Sequence, residues 1–102
     1  MTEVRFIWDQ DKNRSNQRKH DGISFQEAIL VFRDPLRLSR QDRFEQGEER
    51  WQTTGVVRGV TVLMVAHTVT ELGDNGLIEV VRVISARRAS AKERRQYETE
   101  NG

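Results

Sequence analysis

Val60-Thr61-Val62-Leu63-Met64-Val65-Ala66-His67-Thr68 is apolar on both of its faces. Successive side chains of a strand point to opposite sides. Val60, Val62, Met64 and Ala66 therefore share one side, and Leu63 and Val65 share the other. A strand that needs cover on both sides is predicted to be central in its sheet. Its neighbours follow from it. Arg50 to Val57 reads as a strand, with Arg58-Gly59 as a two-residue hairpin turn between the two. Beyond the turn cluster Leu72-Gly73-Asp74-Asn75-Gly76, Leu77 to Ala86 is rich in Ile and Val and reads as a further strand.

Towards the N-terminus the pattern changes period. Val4 to Trp8 alternates like a short strand. Asp9 is placed to cap a helix from Gln10 to about His20, with Asp11 favouring its start. That helix carries no aliphatic or aromatic residue. Lys12, Asn16 and His20 fall on one of its faces, with Lys19 beside them. Such a face is either solvated surface or part of a site that handles anions. Ser24-x-x-Glu27 is a capping box, opening an amphipathic helix with Phe25, Ala28, Ile29 and Phe32 on one side. Asp34-Pro35 ends it. Leu36 to Gly47 is predicted to hold a short edge strand, and Ser90-Ala91-Lys92-Glu93 is a second capping box before a charged helix running to about Glu100. The expected fold is α+β: a twisted antiparallel sheet with the N-terminal helices on one side and a C-terminal helix.

At 102 residues the chain is expected to be a single domain over residues 1–102. Hydrophobic residues make up 35% and charged residues 32%, so its core is small and a partner could supplement it. With no cysteine, disulfides and thiolate metal sites are excluded. No apolar run approaches the ~20 residues that span a membrane, and no signal-peptide core is present, so a soluble, cytoplasmic protein is expected. The net charge of +1 hides segregation: Arg82, Arg87, Arg88, Lys92, Arg94 and Arg95 lie in one stretch with Glu93 as its single acid. A locally basic surface can engage phosphates whatever the total.

No metal motif is present; His20 and His67 are far apart and neither has an H-x-x-x-H partner. No cofactor-binding glycine loop or nucleophile elbow appears either. The remaining inventory is arginines, lysines, two imidazoles and a few acids, which suits metal-free work on a phosphodiester. Arginine can stabilise charge building on phosphorus oxygens because its planar fork pairs two of them and stays charged. Histidine can move the 2′-hydroxyl or 5′-oxygen proton because it titrates near neutrality. Each candidate also has a plain structural reading. Arg82, inside an apolar strand, is either salt-bridged or phosphate-facing. Arg87 and Arg88 at the strand end are either solvated or part of a site. His67 is a satisfied strand histidine or a catalyst, and His20 sits where a helix dipole favours a cation. Tyr97 belongs to the core or stacks on a base, while Trp8 and Trp51 are expected to be core anchors.

Taken together, Phe6-x-Trp8-Asp9-x-x-Lys12-x-x-x-Asn16-x-x-Lys19-His20, Gly22-Ile23-Ser24-Phe25, Asp34-Pro35-Leu36, Glu48-Glu49-Arg50, Gly55, His67-Thr68, Arg82-Val83-Ile84-Ser85-Ala86-Arg87-Arg88-Ala89 and Glu93-Arg94-x-x-Tyr97 resemble the BrnT toxin family over nearly the whole chain. The resemblance implies a RelE-like fold and a metal-independent endoribonuclease that inhibits translation, the toxin of a type II toxin–antitoxin pair. It implies a BrnA-like antitoxin as protein partner, RNA as substrate, and operator DNA reached only through the antitoxin. Family positions fall on Lys12, Lys19, His20, Glu49, Arg50, His67, Arg82 and Arg87. Arg50, His67, Arg82 and Arg87 are expected to be catalytic, and Lys12, Lys19, His20 and Arg88 to bind substrate. Two departures stand out: Asp21 is inserted between His20 and Gly22, and the hairpin from Val69 to Gly76 is longer than usual. A catalytically inactive module that acts only in an antitoxin–operator complex is the alternative.

Overall fold

The computed structural model describes residues 2–101. Its strands are β1 (Glu3–Ile7), β2 (Leu38–Glu45), β3 (Glu48–Val57), β4 (Thr61–Leu72) and β5 (Ile78–Arg88). Its helices are α1 (Gln10–Lys19), α2 (Phe25–Ala28), which runs into a 3₁₀ segment at Ile29–Arg33, and α3 (Ala91–Asn101). The strands form one sheet in the order β1-β5-β4-β3-β2. β4 is central, as its doubly apolar pattern requires, and Leu63, Met64 and Val65 are all buried there.

The sheet is mixed rather than antiparallel. β2, β3, β4 and β5 follow one another in antiparallel hairpins, but β1 pairs with β5 in parallel, from Glu3↔Ile78 to Ile7↔Arg82. Alternation records which face a side chain takes, not the direction of the partner strand, so the pattern of Val4 to Trp8 could not distinguish the two. β4 and β5 also run further than their apolar stretches, pairing as far as Leu72↔Ile78. The long hairpin between them is thus an extended two-stranded ribbon rather than a loose loop. β2 is a full eight-residue edge strand. Its outer edge is blunted by Arg40, Asp42, Arg43 and Glu45 and by a register shift between Gln41 and Arg43.

One face of the sheet carries the core. Phe25, Ala28 and Val31 pack there on Val57, Leu63, Val65, Val83 and Ala86. The expected helix from Ser24 to Phe32 is present only as α2 and then tightens into the 3₁₀ segment. This brings Val31 flush against β3. A Cβ on Gly55 would lie 3.0 Å from the Val31 carbonyl oxygen and 3.1 Å from its Cβ. Asp34 then ties three elements together: it accepts hydrogen bonds from Val56 N (2.8 Å), Leu36 N (2.9 Å) and the Tyr97 hydroxyl of α3.

α1 departs most from expectation. Asp9 caps it as anticipated, accepting from Asp11 N and Lys12 N. Yet Asn13 and Asn16 are buried, so the helix does pack, and it packs through amides. Asn13 Oδ1 accepts from Phe25 N at 2.8 Å, capping α2. Asn16 pairs with the Ala86 backbone in both directions, at 3.0 Å to its N–H and 2.8 Å to its carbonyl. Asn16 is therefore a docking residue rather than a member of an anion-binding face.

Candidate functional site

The face of the sheet opposite the core carries a row of arginines. Register places them. Trp51 pairs with His67 on the core side, so Arg50 and Thr68, one step on, project to the other side. Thr68 pairs with Arg82, and Arg50 with Arg43. Arg43, Arg50 and Arg82 thus share one cross-strand row, with Thr68 between the last two. At the usual strand spacing the Arg50 and Arg82 backbones stand about 10 Å apart.

Acids from the β2–β3 hairpin reach into this row. Glu48 Oε1 lies 2.7 Å from Arg82 Nη2 and 3.8 Å from Arg50 Nη2. Glu45 Oε2 lies 3.1 Å from Arg43 Nη2 and 3.9 Å from Arg50 Nη1. Glu45 and Glu48 are register partners across the Gln46-Gly47 turn, where both residues have positive φ. Two carboxylates placed opposite each other repel unless cations stand between them, and Arg50 supplies that cation. The Arg50 side chain is only 18% exposed, and its buried Nε has no hydrogen-bond partner.

Arg87 lies on the same face. Its register partner is Met64, four residues along β4 from Thr68 and so about 13 Å from the row. Its guanidinium is held bidentately by Glu93 of α3, at 2.8 and 3.0 Å. The hydrogen bond to Glu93 raises the Arg87 pKa against the effect of burial, and the same bond lowers that of Glu93. Glu93 also closes the anticipated capping box, accepting from Ser90 N at 2.8 Å while Ser90 Oγ accepts from Glu93 N at 3.1 Å.

The structure separates His67 from these arginines. It faces the core side, 3% exposed, with Nε2 2.7 Å from the Thr53 hydroxyl and its ring edge-on to Phe32 at 5.0 Å. Burial pushes its imidazole below the ordinary 6.5, only partly opposed by its hydrogen bond to the Thr68 carbonyl. It lines a groove of ≈ 750 Å³ walled by Phe6, Phe32, Trp51, Val69 and Val81 and bordered also by Arg33, Arg37, Glu49, Glu71 and Glu79.

The expected substrate-binding residues are spread along α1 and the end of β5. Lys12 and Lys19 are exposed and His20 is half-buried at the helix end. Among the described residues none of the three side chains has an ion pair or hydrogen bond. Arg88 pairs in register with Leu63 and so turns to the opposite side from Arg87, where it meets Asp21 at 3.6 Å. Asp21 takes the left-handed position after the helix, with φ 52, and Gly22 N reaches back to the Gln17 carbonyl. Asp21 is thus a helix stop that also brings a carboxylate to Arg88.

Glu48, Arg43 and Glu93 complete the site, though none of them was among the expected site residues. Arg43 joins the row only once the β2 register is known. The motif Ser90-x-x-Glu93 marks a cap, but nothing in it marks the second bond to Arg87. Among the described residues, no three His, Cys, Asp or Glu side chains come together as a metal site, and no helix is long and apolar enough to cross a membrane.

Comparison with known proteins adds a family. Residues 8–93 match the family model described as a ribonuclease toxin, BrnT, of type II toxin–antitoxin systems, a span that holds every arginine of the row. In fold the chain is similar to the crystal structure of the Brucella abortus ribonuclease toxin, BrnT. The TM-score is 0.55, with 23% identity over 87% of this chain and 99% of that one. No curated protein matches the chain.

Proposed function

Because the chain belongs to the BrnT family of type II ribonuclease toxins, we propose that it is the RelE-like toxin of such a pair: a metal-independent endoribonuclease that cuts RNA, inhibits translation and is neutralised by a BrnA-like antitoxin. The arginine row on the open sheet face carries this reading. Cleavage by the ribose 2′-hydroxyl builds negative charge on the non-bridging phosphate oxygens, and fixed guanidinium groups stabilise that charge without having to reorganise. Arg50 and Arg82 hold the scissile phosphate. Arg87, about 13 Å away along the strands, holds another part of the backbone. Lys12, Lys19 and Arg88 guide flanking phosphates from the α1 side. Neither imidazole stands beside the row: His20 ends α1 next to Asp21, whose carboxylate meets Arg88, and joins the substrate-binding side. His67 supports the other face.

The test is purified protein with RNA in EDTA. Cleavage should persist, and Arg82→Ala and Arg50→Ala should each lower it by at least about 100-fold, the scale of losing one transition-state donor. Intact RNA under these conditions, with antitoxin binding retained, would establish the binding-module reading instead. One observation favours that second reading: Arg82, Arg87 and Arg88 each already hold a carboxylate of their own chain.

A further inference from the structure

Arg50 and Arg82 converge on one acid, and the fit is incomplete. Arg82 Nη2 makes a full hydrogen bond to Glu48 at 2.7 Å, whereas Arg50 meets Glu48 and Glu45 only at 3.8 and 3.9 Å. Among the described residues the Arg50 side chain makes no hydrogen bond, and its Nε is enclosed without a partner. A guanidinium presents donors in a fixed fork, and leaving an enclosed one unsatisfied is costly. The row therefore holds more donor capacity than its own acids use.

Glu48 is suited to leave. It is the first residue of β3, beside the Gln46-Gly47 turn, and its side chain is 47% exposed. Ion pairs of that exposure shift an equilibrium by no more than about five-fold. A phosphodiester carries the same single negative charge and, like a carboxylate, two charge-bearing oxygens, but it is not tethered to the start of β3 and can sit midway between the two guanidinium groups. One phosphate can thus pair with both guanidinium groups where one carboxylate reaches only the first.

We propose that Glu48 holds the place of a substrate phosphate between Arg50 and Arg82 in the free protein and swings out when RNA enters. This rests on the reading of the open face as a phosphate-binding face. The exchange is charge-neutral and breaks no covalent bond. It makes Glu48 a competitor of the substrate rather than the base of the reaction, and it explains how a row already paired with acids can still serve RNA.

The test uses the full chain as wild type, Glu48→Gln, Arg82→Ala and the double variant, each first shown to keep the wild-type melting temperature. Two probes are titrated: inorganic phosphate and an uncuttable 2′-deoxy-substituted RNA oligonucleotide. Glu48→Gln should bind both about five-fold tighter, and that gain should vanish in the double variant. Unchanged or weaker binding by Glu48→Gln, or no binding by any variant, overturns the proposal. So does unchanged binding with cleavage lowered at least 100-fold, which would make Glu48 the general base. Tighter binding by Glu48→Gln in a protein that cuts no RNA supports the displaceable acid while removing the nuclease reading, so the two can fail separately.

Discussion

Asn16 does for β5 what a neighbouring strand would do. β1 stops pairing at Ile7↔Arg82, so the outer edge of β5 beyond that point has no strand beside it. The side-chain amide has the same donor and acceptor as a peptide group, and it meets Ala86 on both. A further bond at 2.9 Å to the Ile23 carbonyl fixes the chain after the helix. Asn16→Ala leaves these buried backbone groups unpaired, and at about 1–3 kcal/mol for each such group the expected loss is about 3 kcal/mol, read by urea denaturation. A loss under about 1 kcal/mol would mean that water takes the amide's place. This docking was not legible in the sequence. Periodicity finds a packed helix by its apolar stripe, and α1 has none; its buried face is written in asparagine, whose side chain signals surface. Asp9, Ser24 and Ser90 were legible as caps because capping is local, depending on residues three positions apart or fewer.

At the level of elements, the 3₁₀ segment, β3 and α3 meet at one closely packed junction. Gly55 lets Val31 approach, and Asp34 binds the junction from the edge of β3. Gly55→Ala should destabilise by about 1–3 kcal/mol, because the 3₁₀ backbone, not a flexible side chain, must give way. Tyr97→Phe removes the hydroxyl bonded to Asp34 and should cost about 1–2 kcal/mol while leaving the helical circular-dichroism signal in place. The same junction sets an acid limit. Burial alone would raise the Asp34 pKa, but bonds from Tyr97, Val56 and Leu36 and the charge of Arg37 outweigh it and hold the group below its ordinary 3.8. Burial and Asp34 together push the Tyr97 hydroxyl up to about 12, so it stays a donor throughout the neutral range. A carboxylate with a lowered folded pKa lends its full stability above its unfolded value and loses it as pH falls through the folded one. Tyr97→Phe should therefore shrink the drop in melting temperature between about pH 5 and about pH 3; an unchanged drop would show that Asp34 does not set this limit. Element types and order were legible from period and punctuation, and the central place of β4 from its two apolar faces. The parallel pairing of β1 was not, because its partner lies at the far end of the chain.

Across the whole molecule, the sheet parts the arginine row from His67. Arg43, Arg50, Arg82 and Arg87 take the open face; on the other a hydrogen-bonded line runs from exposed Ser39 to buried Thr53 and His67, with Ser39 Oγ 2.8 Å from Thr53 Oγ1 and Thr53 2.7 Å from His67. Residue type suggested grouping His67 with the arginines, and only the register of β3, β4 and β5 parts them. The division predicts two separable phenotypes. Arg82→Ala should abolish growth arrest and barely move the melting temperature, since the ion pair it breaks is partly exposed. His67→Gln should do the reverse, keeping growth arrest while costing about 1–2 kcal/mol of stability near neutral pH. It should also change the response to acid. Burial holds His67 below its ordinary 6.5, so the unfolded chain binds its proton more readily than the folded one does. Its neutral form supports the fold fully above 6.5, and that support is lost as pH falls below this value towards the lowered folded pKa. Melting curves at about pH 7.5 and about pH 5.5 should show a fall for the wild type and a smaller one for His67→Gln. If His67→Gln instead stays folded at both pH values but no longer arrests growth, the chemistry draws on both faces of the sheet, and the arginine row is only half of the site.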